Sequence, residues 1–189
     1  MSQQLIAIQK ILEANADPVA VNATRKFVPG AEKIYGVRTP VLSNLAKQYK
    51  AGGFNLVNEL WQTGSFEEKI LAAKLLGIIA KKDAEQSLKL IELFAQGIAD
   101  WAVCDAVGMQ ALHPIRKTHQ KEIFAIAKKY NMSSNPWQRR LSLVLTEWYT
   151  RDKSLHSEIN KLVNALENDE AYYVKKAVVW IKRNMAKGR

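Results

Sequence analysis

The chain has 189 residues, of which 28 are Lys or Arg and 18 are Asp or Glu, so its formal net charge is +10. This length fits one domain over residues 1–189, and a hydrophobic share of 48% indicates a globular protein with a buried core. No apolar run approaches the ~18–20 residues of a membrane span. The N-terminus lacks a signal-peptide pattern, and one cysteine allows no intrachain disulfide. A cytoplasmic monomer without membrane association is expected.

The positive charge is concentrated in one part of the chain. Residues 1–112 carry 12 basic and 11 acidic side chains, whereas residues 113–189 carry 16 basic and 7 acidic ones. A clustered basic excess is typical of a nucleic-acid-binding surface. The alternative interpretation is a basic surface without a partner.

Helical patterning covers most of the chain. Apolar residues recur at three- and four-residue spacing in LAAKLLGIIA, LKLIELFAQ, IFAIAKKY, LSLVLTEWY and INKLVNAL, and no strand-like alternation persists. About eleven helices and no sheet are predicted. Residues suited to capping helix starts occur, in chain order, at Thr39-Pro40, at Ser65 with Glu68 as a capping box, at Asp100, at Asn135-Pro136, and at Asn168 or Asp169.

The predicted helix starts repeat at a step of about 35 residues. They fall near 66, 101, 136 and 171, and each brings an aromatic residue: Phe66, Trp101, Trp137 and Tyr172. Helix pairs at this period predict an all-α, HEAT-like α-solenoid, in which stacked antiparallel pairs form a curved superhelix. The aromatic residues can also be ordinary packing residues, and this interpretation is preferred for Phe66.

A cation follows three of these aromatic residues at a fixed distance. Lys69, Arg140 and Lys175 stand three positions after Phe66, Trp137 and Tyr172, which places them on the same helical face. In the remaining repeat this position is Cys104, and Asp105 follows it. The pattern predicts a basic concave groove that contains one carboxylate.

Common catalytic motifs are absent from the sequence. There is no GxGxxG, no GxxxxGK[ST] and no HExxH, and no Ser or Cys lies in a known nucleophile motif. The three histidines lack metal-ligand spacing, so neither a metal nor another cofactor is expected. The residues left for chemistry are Trp101, Asp105, Arg140 and Trp180, with a basic C-terminal helix that carries Lys175, Lys176, Lys182, Arg183, Lys187 and Arg189.

Four segments in the right order resemble the DNA alkylation repair (AlkD-like) glycosylases. They are KIYGVRTPVLSNLAKQYK at 33–50, WAVCD at 101–105, SSNPWQRRLSLV at 133–144 and AYYVKKAVVWIKRN at 171–184. Each segment alone is weak, but together they extend over most of the chain. The fold of that family is a HEAT-like superhelix, which agrees with the repeat found independently above. Ser43 departs from the family pattern, because many relatives carry a basic residue there.

The resemblance implies a substrate and a role for each matching residue. Asp105 matches the catalytic carboxylate, Trp101 and Trp180 match two aromatic residues that flank the deoxyribose, and Arg140 matches a phosphate-contacting arginine. The substrate would be duplex DNA containing alkylated bases, from which cationic N3- or N7-alkylpurines are removed. The further predicted DNA-binding residues are Arg38, Lys69, Arg139, Lys175, Lys176, Lys182 and Arg183.

Other interpretations remain open at this stage. Trp101 and Trp180 can be core residues, Asp105 can be a salt-bridge partner of Arg140, and Arg139 and Arg140 can form a solvated face. The function can then be that of a catalytically silent DNA-binding relative or of a HEAT-type protein-interaction scaffold. Retention of Asp105 favours a glycosylase over a silent relative, and the basic second part favours DNA over a scaffold.

Overall fold

A computed structural model describes residues 1–28, 30–31 and 33–188, so Arg189 of the predicted basic helix lies outside the described residues. Throughout these residues the secondary structure is helical, without a β-strand, which confirms the all-α prediction. Eleven α-helices occur in the described ranges: α1 Gln3–Ala14, α2 Pro18–Phe27, α3 Thr39–Gln48, α4 Gly53–Gln62, α5 Phe66–Ile79, α6 Ala84–Gly97, α7 Trp101–Ala106, α8 Gln120–Asn131, α9 Pro136–Val144, α10 His156–Ala165 and α11 Tyr172–Lys187.

Short 3₁₀-helical turns and one π-helical stretch occur between these helices in the described residues. The 3₁₀ turns are Lys50–Gly52, Ala80–Lys82, Glu147–Arg151 and Lys153–Leu155. A π-helical stretch, Val107–Ala111, directly continues α7. None of the described helices is both long enough and apolar enough to cross a lipid bilayer.

The chain divides into two compact units, Met1–Pro114 and Ile115–Arg189. This division coincides with the change in charge, because the first unit has a formal charge of about +1 and the second about +9. The single domain over 1–189 and the basic concave groove stay predictions.

In the first unit, α5 lies at the centre. It packs against α3, α4, α7 and the π-helical stretch, and this explains why it is apolar around most of its circumference. Leu71, Leu75 and Leu76 are completely or almost completely buried. In the second unit, α9 packs against α8 and α11, and α10 contacts all three of these helices. Such packing of successive helices is consistent with an α-solenoid.

Two buried carboxylates on the first turn of α5 fasten the N-terminal segments to it. Glu67 accepts hydrogen bonds from the main-chain N–H groups of Tyr35, Gly36 and Val37 at 3.0, 2.7 and 3.1 Å. Glu68 accepts one from the Gln9 side chain at 2.9 Å. Burial, followed by the charges of Glu68, Glu13 and Glu67, raises the pKa of Tyr35 to about 12, so its hydroxyl stays protonated.

The predicted helix starts agree with the structure, but not all of the predicted caps do. Asp100 and Asn135 accept from the N–H groups of Val103 and Trp137, at 2.8 and 2.9 Å, as expected for N-caps. The capping box at Ser65 and Glu68 is wrong: Ser65 precedes the helix, but its hydroxyl makes no capping bond and Glu68 bonds to Gln9 instead.

Two further caps are displaced in sequence. Helix α3 begins at Thr39 itself, so Arg38 holds the cap position and Pro40 lies inside the first turn. Helix α11 begins at Tyr172, after Ala171, which has no side chain able to cap. Asp169 instead accepts from the Ala171 N–H at 2.8 Å, before the helix starts. These predictions of Thr39 and of Asn168 or Asp169 as caps were therefore wrong.

Candidate functional site

Trp101 and Asp105 lie on the same short helix, α7, separated by one turn. The helix start is fixed twice, because Asp100 caps it and the Trp101 indole N–H donates to the Phe27 main-chain carbonyl at 2.7 Å. Both Trp101 and Asp105 are half-buried, so neither belongs to the fully buried core. The structure thus places a carboxylate and an aromatic ring on one anchored helical turn at the protein surface.

The carboxyl of Asp100 lies within the electrostatic influence of Asp105. Burial raises the pKa of Asp100, the N–H groups of Val103 and Ala102 and the charge of Lys69 oppose that rise, and the charge of Asp105 adds to it. The net effect is a raised pKa for the buried capping carboxyl. The negative charges of Asp100 and Asp105 therefore disfavour each other.

The helical run after Asp105 widens into the π-helical stretch Val107–Ala111. Single π-turns within helices are rare, and they occur often at functional sites. Gly77 of α5 lies directly under this stretch, since a Cβ atom there would come within 2.5 Å of the Gln110 carbonyl oxygen. The close approach of the two backbones fixes how the run that carries Asp105 sits on α5.

Lys69, a predicted phosphate contact, uses its ammonium within the protein. The Nζ atom donates to the Gly97 carbonyl at 2.8 Å and lies 5.4 Å from the centre of the Trp61 ring. Gly97 is the last residue of α6 and precedes the next repeat start by four positions. Lys69 therefore links one repeat to the segment that leads into the next.

Arg140 and Arg139 in the second unit also use their charged groups within the protein. Arg140 is only 5% exposed, and its guanidinium donates to the Tyr173 carbonyl in the first turn of α11 at 2.7 Å. Arg139 donates to both carboxylate oxygens of Asp169, at 2.6 and 3.1 Å, and to the carbonyls of Ser133 and Ser134. Arg140 is thus buried rather than solvated, and both arginines hold α9 against the segment that starts the last repeat.

The predicted cations of α11 differ in their exposure and in their contacts. Lys175, Lys176 and Arg183 are exposed, and Lys182 pairs with Glu167. Lys176 lies 5.3 Å from the centre of the Tyr172 ring one turn earlier. Trp180 is half-buried on the same helix. In the first unit, Arg38 is exposed at the cap position of α3.

Two features of the structure were missed in the sequence. One is a cleft beside the π-helical stretch, and Lys74 of α5 is one of its lining residues. The other is the indole of Trp148, which has the guanidinium carbons of Arg116 and Arg151 at 3.9 and 5.2 Å from its ring centre. Both depend on residues brought together from different helices or turns, so no local sequence spacing predicts them.

Comparison with protein families gives a match that covers almost the whole chain. The profile described as DNA alkylation repair enzyme matches residues 8–189. The chain belongs to this family. No individual curated protein is similar enough to be compared with it. Membership of the DNA alkylation repair enzyme family makes DNA the expected substrate, and it confirms the resemblance found in the four sequence segments.

Proposed function

We propose that this protein is a DNA glycosylase that hydrolyses the N-glycosidic bond of cationic N3- or N7-alkylated purines in duplex DNA. The observation that carries the proposal is the placement of Asp105 and Trp101 on one anchored turn of α7, at the surface of a member of the DNA alkylation repair enzyme family. No cofactor is needed for this reaction, and we expect the protein to act as a monomer.

The chemistry requires little from the protein beyond stabilisation of positive charge. An alkylated purine with a cationic ring leaves without a general acid, and the sugar develops oxocarbenium character as the bond breaks. A carboxylate beside the sugar stabilises that charge, and an aromatic face adds a cation–π contribution. Asp105 supplies the carboxylate, and it also orients the water that attacks C1′. Trp101 and Trp180 supply the aromatic faces.

Binding to the backbone is assigned to cations of both units. Arg140 remains a predicted phosphate contact, although it is only 5% exposed and its guanidinium donates to the Tyr173 carbonyl. The exposed Arg38, Lys175, Lys176 and Arg183 have side chains available for further phosphates. Lys69, Arg139 and Lys182 remain predicted contacts, although their charged groups are already engaged within the protein.

The decisive experiment is incubation of the protein with methylated duplex DNA, followed by chromatographic detection of released bases. Release of 3-methyladenine or 7-methylguanine, with no release from undamaged duplex, supports the glycosylase. Binding of the duplex without release of any base would instead identify a silent DNA-binding relative. Failure to bind DNA at any salt concentration would favour the protein-interaction scaffold.

A further inference from the structure

A cleft of about 240 Å³ opens beside the helical run that carries Asp105. One wall is α3, with Ser43 and Lys47, and the other is formed by the second half of α5 and the π-helical stretch. Polar lining comes from Ser43, Lys47, Lys74, Gln110 and His113, and no acidic side chain is among the lining residues. Its charged lining is therefore purely cationic, although the unit as a whole is nearly neutral.

Lys74 is a half-buried cation in this cleft that makes no ion pair within the described part of the chain. Its Nζ atom donates to the Gln110 side-chain oxygen at 3.0 Å, and among the described residues no carboxylate pairs with it. The side chain is half-buried, and burial lowers the pKa of its ammonium. A cation held in a partly dry place without an anion is costly, so such a place favours an incoming anion.

The position of this cation relative to Asp105 also matters. Gln110 follows Asp105 by five residues on one continuous helical run, so Lys74 is anchored about 6–8 Å along the axis from it. Met109, about one turn after Asp105 on the same run, also lines the cleft, so a nucleotide whose sugar meets Asp105 would have neighbouring backbone atoms near the cleft. Phosphodiester oxygens only accept hydrogen bonds, and in this largely apolar cleft the ammonium groups of Lys47 and Lys74 and the hydroxyl of Ser43 are donors that can meet them.

We propose that Lys74 binds a backbone phosphate of the substrate duplex, with Lys47 and Ser43 contacting the same phosphate from the opposite wall. This inference rests on the proposed function in that DNA is the ligand and that a sugar of the DNA lies at Asp105. It adds a phosphate site on α3 and α5, to which Ser43 contributes a hydroxyl donor. Gln110 then serves as a positioning residue that holds the ammonium at the mouth of the cleft.

The test compares Lys74→Gln with Lys82→Gln, which removes one charge from an exposed lysine after the same helix. The affinity for undamaged duplex is measured as a function of salt concentration. For Lys74→Gln the slope of log affinity against log salt should fall by about 1, since one phosphate contact is lost. The affinity ratio between 50 and 200 mM salt then shrinks about three- to fourfold. For Lys82→Gln the slope should not change.

Melting temperature without DNA separates binding from a structural role. If Lys74 binds phosphate, its replacement should leave the melting temperature unchanged or raise it, because an uncompensated charge is removed from a half-buried place. A lower melting temperature with an unchanged salt slope would overturn the proposal and make Lys74 structural. A third outcome would also overturn the proposal. If inorganic phosphate stabilises the wild type more than chloride does at equal ionic strength, and both variants have the same salt slope, the cleft binds free phosphate rather than DNA.

These outcomes are independent of catalysis. Because undamaged duplex is the probe, a protein that binds DNA but releases no base can still satisfy the prediction for Lys74. Conversely, base release by the wild type with identical salt slopes for Lys74→Gln and Lys82→Gln supports the glycosylase and overturns the phosphate site. The two proposals can therefore fail separately.

Discussion

Arg139 and Asp169 form a two-point ion pair between residues 30 positions apart, in which Nε and Nη2 donate to the two carboxylate oxygens. The Asp169 side chain is only 6% exposed, and it also accepts from the Ala171 N–H. The pair fastens the N-terminal half of α9 to the turn that leads into α11. Its partners lie at the two repeat starts, so we interpret it as a fastening between repeats.

Replacement of Asp169 by Asn should lower the stability of the protein by about 2 kcal/mol at neutral pH, between the values typical of exposed and buried pairs. Burial alone would raise the pKa of Asp169, but the hydrogen bonds from Arg139 and Ala171 and the charges of Arg139 and Lys175 lower it below 3.8 overall. The stabilisation is therefore present above about pH 4 and is lost as the pH falls through the lowered pKa. Denaturant unfolding of both proteins from pH 7 to pH 3 checks this, and a constant difference in stability over that range would contradict it.

The indole of Trp101 has a structural bond as well as a proposed catalytic face. Trp101→Phe removes the hydrogen bond to Phe27 but keeps an aromatic ring, so stability should fall by about 1 kcal/mol while most excision activity is retained. Trp101→Ala removes both, and Trp180→Ala removes the second ring. A cation–π contribution of about 0.5–2 kcal/mol corresponds to a loss of roughly two- to thirtyfold in rate for each alanine variant. Single-turnover excision together with melting temperature separates the two roles. Equal excision by the Phe and Ala variants would refute the aromatic role of Trp101.

Gly77 should not tolerate even one added carbon. In Gly77→Ala the Cβ atom would lie 2.5 Å from the Gln110 carbonyl oxygen, so α5 or the π-helical stretch must shift. Overpacking of this kind costs about 1–3 kcal/mol, which outweighs the gain of about 1 kcal/mol in helix propensity. Calorimetric unfolding should show the loss, and excision should fall as well, because the shifted stretch continues the helix of Asp105. Unchanged stability would mean that the two backbones separate easily.

Replacing Arg140 by a residue that keeps the positive charge should have a smaller effect on DNA binding than replacing it by a neutral residue. Arg140→Gln removes a buried guanidinium that donates to Tyr173, so we expect both a lower melting temperature and weaker DNA binding. Arg140→Lys keeps the charge but not the planar, many-donor group, and it should recover part of the affinity for duplex DNA. Fluorescence anisotropy at two salt concentrations measures this. If both variants lower the melting temperature but bind duplex DNA as tightly as the wild type, Arg140 has only a structural role.

Local sequence signals predicted the helix starts well, and they predicted the cap itself where the cap and its target N–H, which lie within three residues of each other, have no competing partner. Asp100 and Asn135 illustrate this. Ser65 shows the limit of the method: it occupies the predicted position, yet its Oγ is buried without a hydrogen-bond partner among the described residues. Its expected partner in the capping box, Glu68, bonds to Gln9, 59 positions away. A local residue pattern cannot reveal that a distant side chain will bond to a predicted capping residue.

The partners of the predicted cations were equally hidden. The step of about 35 residues placed Lys69 and Arg140 at equivalent positions, and each donates to a main-chain carbonyl that lies in or shortly before the next repeat start. Periodicity specifies which face a residue occupies, but not whether a neighbouring carbonyl or a solvent-facing ligand meets it. The π-helical stretch after Asp105 also had no local signal, and its contact with Gly77 brings together residues of two different helical runs.

Asp105 carries the sharpest prediction of the proposed mechanism. Asp105→Asn keeps the shape of the side chain and removes the negative charge that meets the sugar cation, so excision should fall on the order of a hundredfold or more, or roughly 3–4 kcal/mol. DNA binding should stay equal or become tighter, because nothing in phosphate binding needs a negative charge. The loss of this charge also removes one cause of the raised pKa of Asp100, which should decrease.

Three measurements on Asp105→Asn together distinguish catalysis from structure: single-turnover release of 7-methylguanine, affinity for duplex DNA, and melting temperature. If Asp105 were only the salt-bridge partner of a cation such as Arg140, stability and binding would fall together and excision would follow them. In the glycosylase mechanism excision falls alone, because the carboxylate acts only once the sugar develops positive charge. An Asn variant that releases the base at the wild-type rate would eliminate Asp105 as the catalytic carboxylate.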